Sequence, residues 1–307
     1  MDRIVIVTKP TRLDELILQY HNEGTVRFIL ESCGEAIDSY KLEDEKYKAS
    51  LEIVRRQIPS DIPTVTVSRE DLPDFLFRSN DLIIVCGPDG LFANLAKYVS
   101  DQMVLAVNPD PENITGQLML FSPQQVGAVI KDAVKNKVAI QKIPFVKASV
   151  DNRTVWGIND VFIGRNDQIS ARYKIDFCNE SENQSSSGII VSTGIGSTGW
   201  ISSISEMLIG LSNNRDHSRL CSKLRNLPKP TDTELVFVVR EAFPSVNTGA
   251  KISFGRITPN EPLIVTSQMP KGGCIFSDGV TEKAISWNAG QKIIVTVGDR
   301  YLNRIIP

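Results

Sequence analysis

Two glycine-containing stretches carry the residue types that handle phosphates. The first, Gly87-Pro88-Asp89-Gly90, follows the apolar run Asp81 to Cys86 and leads into Leu91, Leu95 and Val99, whose spacing predicts a helix. Glycines let backbone amides approach an anion, and the start of a helix adds the positive end of its dipole. An aspartate in such a turn repels the phosphate beside it. Asp89 therefore reads either as a group that accepts a proton from an attacking hydroxyl or helps to hold magnesium, or as a turn residue capping the helix.

The second stretch, Ser192 to Trp200 (STGIGSTGW), contains a literal G-x-G-x-x-G at Gly194, Gly196 and Gly199. The apolar run Gly188 to Val191 precedes it, and Ile201, Ile204 and Leu208 predict a helix after it. A Rossmann fingerprint must close a βαβ unit and place an acid at the tip of the next parallel strand. Here the acid about twenty residues on, Asp216, lies in the polar run SNNRDHSR, read as a solvated loop, and the sequence beyond turns β-rich. The glycines either line a ligand site or make a tight strand-to-helix turn. On the ligand reading Gly196→Val is expected to obstruct a dinucleotide while sparing the fold, and Asp216→Ala to change nothing.

These stretches sit in a chain of 307 residues, 41% hydrophobic and 23% charged, a globular composition whose length predicts two domains. With 34 basic and 36 acidic residues the net charge is −2, so nothing points to nucleic acid or an anionic membrane, and small molecules are the expected partners. Cys33, Cys86, Cys178, Cys221 and Cys274 form no C-x-x-C pair, which predicts neither a disulfide framework nor a zinc site and suits a reducing cytoplasm. The N-terminal MDRIVIVTKP reads as a strand with no signal or transit peptide, and no run reaches the roughly 18 apolar residues of a membrane span. A Ser-His-Asp or Cys-His site would need His21 or His217, both in polar sequence.

The hydrophobic period changes near residue 140. Before it, strands at Arg3 to Val7, TVTVS, DLIIVC and MVLAV alternate with helices. One helix is capped at Thr11, one carries Tyr47, Leu51, Val54 and Ile58, and one starts at Ser122-Pro123-Gln124-Gln125. This alternation predicts an α/β domain over 1–140 with a mostly parallel sheet. After it, short period-two runs such as ARYKIDF, TELVFVV and PLIVTS predict a mainly antiparallel β-sandwich over 141–307. Asn179 to Ser187 and Asn213 to Thr233 read as polar loops, and Trp156, Trp200 and Trp287 as core residues sooner than ligand platforms.

Taken together, GPDGL (Gly87 to Leu91), INDVFIG (Ile158 to Gly164), STGIGSTGW and FSDGV (Phe276 to Val280) resemble, in order and spacing, the motifs of the NAD kinase family, part of a superfamily with diacylglycerol and sphingosine kinases. The wording around Ser186 to Trp200 is most similar to the mitochondrial-type branch. The resemblance implies ATP-dependent phosphorylation of the adenosine ribose 2′-hydroxyl of NAD, with Asp89 as general base and Gly87 and Gly90 cradling the donor phosphates. It implies that Asn159, Asp160, Gly196, Ser197, Thr198, Trp200 and Ser187 line the dinucleotide site. ATP would bring Mg²⁺ on its phosphates, no protein metal site is expected, and the protein would be a homo-oligomer. Pro88 replaces a family glycine, Leu91 a threonine, Asp160 a glutamate and Ser187 an aspartate. Two further readings stay open: a related kinase acting on a sugar, nucleoside or lipid hydroxyl, and a catalytically silent nucleotide-binding protein.

Overall fold

The computed structural model describes residues 1–114, 116–211 and 226–307; Asp216, His217 and Cys221 lie outside the described residues. The chain forms two compact units, one of Met1–Gln141 with Leu302–Pro307 and one of Lys142–Tyr301. The first is an α/β unit with a parallel sheet and the second a mainly antiparallel β-sandwich. The return of the last six residues to the first unit has no sign in the hydrophobic period.

In the first unit the order is β1 (Arg3–Thr8), α1 (Arg12–Tyr20), α2 (Glu23–Ser32), α3 (Ile37–Arg56), β2 (Thr64–Ser68), β3 (Asp81–Cys86), α4 (Asp89–Leu95), β4 (Met103–Val107) and α5 (Val126–Val134). The strands pair in parallel in the order β2-β1-β3-β4. Every residue of β3 is buried, as the near-continuous apolar run of an interior parallel strand requires. Thr11 and Asp14 form a reciprocal capping box at α1, and Ser122 and Gln125 form another just ahead of α5. The charge inside β3 is satisfied: buried Asp81 accepts from Arg3 Nε at 3.1 Å and from the Arg78 amide at 2.8 Å.

The second unit holds β5 (Ala139–Val150, which begins in the first unit), β6 (Arg153–Gly157), β7 (Asp160–Arg165), β8 (Ala171–Phe177), β9 (Glu180–Ser186), β10 (Ile189–Ser192) and α6 (Trp200–Leu211). They are followed by β11 (Leu235–Val239), β12 (Phe254–Ile257), β13 (Leu263–Ser267), β14 (Gly273–Ser277), β15 (Val280–Ser286) and β16 (Lys292–Ile306). An antiparallel sheet of six strands runs β12-β11-β10-β7-β14-β15. Its Ile163, Ile189 and Phe237 share one core with Tyr173, Ile175, Val265 and Ile293 of the facing strands β8, β13 and β16, with Trp287 wholly buried among them. The last residues of β16 pair in parallel with β4 inside the first unit.

Polar Asn179–Ser187, read as a loop, contains strand β9, paired with β8 along its whole length. A ladder is made by backbone groups, so a polar sequence can supply it when its inward side chains find partners. Buried Ser186 bonds Tyr173 Oη at 2.7 Å, and buried Gln184 donates to the Ile252 carbonyl at 3.0 Å.

Candidate active site

In the second unit antiparallel pairing brings three chain reversals to one end of the six-stranded sheet. Ser192, at the end of β10, pairs with Asp160 at the start of β7, and Ser277, at the end of β14, pairs with Val161. The Ile158-Asn159 turn, the Thr193–Gly199 loop and the Asp278-Gly279 turn therefore meet there. The Asn159 carbonyl accepts from the Thr193 amide at 2.9 Å and from Ser192 Oγ at 3.2 Å. Thr193 Oγ1 donates to the Ile158 carbonyl at 2.6 Å and accepts from the Gly196 amide at 3.2 Å. The structure thus brings Asn159, Asp160 and Gly196 together, with Asp160 buried. With its backbone spoken for, Asn159 has its side-chain amide left over, and the Oδ1 of that amide is out of solvent and has no protein donor.

Gly196 is buried, and a Cβ on it would lie 2.0 Å from the Asn159 carbonyl oxygen; on Gly194 it would lie 1.9 Å from that of Lys229. These glycines permit backbone-to-backbone contact inside the fold. The expectation that Gly196→Val spares the fold is therefore wrong, because the turn is packed against the Asn159 turn and is not an open surface loop. Ser197 Oγ donates to the Gly194 carbonyl at 2.7 Å, while Thr198 is exposed.

The dehydrogenase arrangement is excluded for this motif, because β10 is antiparallel to both of its neighbours and so belongs to no βαβ unit. Trp200 opens α6, stacks on Phe162 at 5.8 Å and has the Arg240 guanidinium 5.5 Å from its ring centroid. These residues, with Phe276, line a groove of about 700 Å³ on the outer face of the sheet. Ser187 is exposed in the turn before β10, at the opposite end of that strand from Gly196. The five residue steps from Ser187 to Ser192 span roughly 16 Å in extended chain, so Ser187 is not brought to Asn159 within the unit.

In the first unit Asp89 is the first residue of α4, after a Pro88 cap that makes no side-chain bond. Its carboxylate reaches across to the segment after β4 and accepts from the Gln117 amide at 2.9 Å and the Leu118 amide at 3.1 Å. About four acceptor positions exist on a carboxylate, so roughly half remain for a ligand hydroxyl. Arg304, buried, donates to the Leu118 carbonyl at 3.2 Å; burial lowers its pKa while the charge of Asp89 holds it up. Gly90 is exposed with open space beyond its Cα. Gly87 is buried, its amide donates to Val107 at 3.3 Å, and its missing Cβ makes room for Leu91. Leu91 is 1% exposed, so this position faces the core. A cavity of about 320 Å³ lies beside Pro88, lined also by Lys9, Arg12, Tyr47 and Asp110.

Asp278, in FSDGV, has no role implied by the resemblance. Its carboxylate accepts from the Asn159 amide at 2.8 Å and from those of Ile158 and Asp160 at 3.3 Å each. The signal available was an aspartate-glycine pair between apolar runs, which marks a hairpin turn but not what the carboxylate touches.

No family model and no curated protein sequence matches this chain. Among solved structures it is similar to yeast NADH kinase complexed with NADH, with a TM-score of 0.59 over 99% of this chain and 83% of that one, at 13% identity. At that identity the likeness establishes an NAD kinase-like fold. No helix among the described residues is long and apolar enough to cross a membrane.

Proposed function

We propose that the protein is a phosphotransferase of the NAD kinase type, moving the γ-phosphoryl group of ATP to the adenosine ribose 2′-hydroxyl of NAD or NADH. The observation that carries this reading is Asn159: a turn whose backbone is bonded on both sides leaves a single side-chain acceptor without a protein donor. A buried polar atom without a partner is costly, and a ribose hydroxyl is a donor of the right kind. The shared fold with an NADH kinase and the order of the four motifs support the same reading.

In this mechanism Asp89 takes the proton of the 2′-hydroxyl as its oxygen attacks the γ-phosphorus, and the bond to the β,γ-bridging oxygen breaks to release ADP. The two amide bonds from Gln117 and Leu118 fix the carboxylate's orientation and leave acceptor positions free for that hydroxyl. The open backbone at Gly90 is the part of the first loop that a donor phosphate can approach. Asn159 orients the acceptor ribose, with Asp160, Ser197, Thr198 and Trp200 in supporting places. Mg²⁺ arriving on the nucleotide phosphates offsets their charge. The Ser186 to Trp200 wording supports the mitochondrial-type branch.

The test is ATP and Mg²⁺ with NAD, NADH, nucleosides, sugars and lipids as acceptors, following NADP or NADPH formation. Asp89→Asn is expected to lower turnover by about a hundredfold while dinucleotide affinity stays within a few-fold. Absence of product from both NAD and NADH refutes the reading, and unchanged turnover in Asp89→Asn removes Asp89 from the chemistry.

A further inference from the structure

We propose that Asp278 is a positioning residue for the Asn159 site: it holds the turn from which the Asn159 side chain meets a dinucleotide. This rests on the functional reading above. Asp278 and Gly279 form the two-residue turn between β14 and β15, with φ of +51° and +70°. Turns of this kind take asparagine-glycine as readily as aspartate-glycine, so the hairpin alone does not call for a carboxylate. The Ile158-Asn159-Asp160 turn does.

Three consecutive amides there converge on the Asp278 carboxylate, Asn159 and Asp160 on Oδ1 and Ile158 on Oδ2, across 118 to 120 residues of chain. The Asp278 amide returns a bond of 3.1 Å to the Asp160 carbonyl. Successive amides on a full negative charge form a nest whose bonds are stronger than neutral ones. On its other side the same turn is gripped by the Thr193 amide on the Asn159 carbonyl and by the close approach of Gly196. Asn159 is thus fixed from two directions by elements distant in sequence, and only its side chain is uncommitted. Arg300 lies within electrostatic reach of Asp278, its guanidinium 4.5 Å from the Trp156 ring centroid and 4.3 Å from that of Phe145. A positive charge thus stands behind the carboxylate that holds the turn.

The test compares the full-length wild type with Asp278→Ala and Asp278→Asn, measuring NAD and ADP binding by calorimetry and amide exchange at Ile158 to Asp160. Asp278→Ala is expected to weaken NAD by about tenfold or more and to speed exchange at those three amides, with ADP affinity within about twofold. Asp278→Asn keeps an oxygen for the Asn159 and Asp160 amides but turns an NH₂ toward Ile158, so it is expected to lose about threefold. It also serves if the alanine variant does not fold. Wild-type affinity for NAD in the asparagine variant together with unaltered exchange overturns the inference, as does an equal loss of NAD and ADP affinity, which marks a general structural role. A wild type that binds no dinucleotide overturns the functional reading, and this inference with it. A binding wild type whose Asp278 variants bind equally well overturns only the inference.

Discussion

Adding one methyl group at Gly196 tests the account of the GIGSTG loop most directly. A Cβ built there falls 2.0 Å from the Asn159 carbonyl oxygen, whereas real contacts of this kind lie beyond 3.0 Å, so the two backbones must part by about 1 Å. The neighbour is main chain and cannot swing aside. Parting it strains the Thr193 amide and Ser192 hydroxyl bonds to the same carbonyl. Overpacking costs about 1–3 kcal/mol, and each of the two weakened hydrogen bonds about 0.5–1.5 kcal/mol more, so Gly196→Ala is expected to cost about 2–6 kcal/mol. For a unit of this size each kcal/mol lowers Tm by about 2–4 °C, which gives a fall of roughly 4–24 °C by calorimetry. Gly194→Ala, with its Cβ 1.9 Å from the Lys229 carbonyl oxygen, is expected to fall in the same range. Gly210→Ala, in α6 with nothing within 4 Å, is the control and should be neutral or stabilising by up to about 1 kcal/mol. A Gly196→Ala protein melting within about 2 °C of wild type would refute the packing argument and return the loop to an open ligand-lining turn.

Three other outcomes are expected. Leu91→Thr should cost about 2–4 kcal/mol, because it trims a side chain that is 1% exposed and buries a hydroxyl, and it should not lower the KM for ATP; a lowered KM would mean that this position faces phosphate after all. Asp81→Ala strands the Arg3 guanidinium beside the sheet and should cost about 3 kcal/mol in urea unfolding, a cost that a wild-type midpoint would disprove. In thiol labelling at pH 8, exposed Cys33 should react quickly and exposed Cys178 more slowly, because desolvation and the charges of Glu261 and Glu180 push its thiol up, whereas Cys86 and Cys274 should wait for unfolding, since burial pushes their thiols up to about 12 and about 11. Rapid modification of Cys86 in the native protein, read by peptide mass, would contradict its place in β3.

Local signals carried much of the architecture. The buried run of β3, the caps at Thr11 and Ser122, and the change of period near residue 140 are properties of neighbouring residues, so they are visible in the sequence as the α/β and β-rich halves. Helix α2 is absent from the sequence analysis although Asn22 caps it and Val26 and Leu30 are buried one turn apart; Gly24 and Thr25 at its start have low helix propensity and weaken the local signal. β9 was missed because a strand whose inward residues are Gln184 and Ser186 has no apolar period to detect. At the candidate site the sequence identified residue types in order: an aspartate in a glycine turn, an Asn-Asp pair, a second glycine loop. Which of them touch was decided only by strand pairing. Antiparallel registry sets Ser192 opposite Asp160 and Ser277 opposite Val161, and so makes one site of Asn159, Gly196 and Asp278 while sending Ser187 to the far end of β10. The glycines were legible as a phosphate signature, but their neighbours, the carbonyls of Asn159 and Lys229, lie more than thirty residues away along the chain, and contacts at that separation leave no pattern in local sequence.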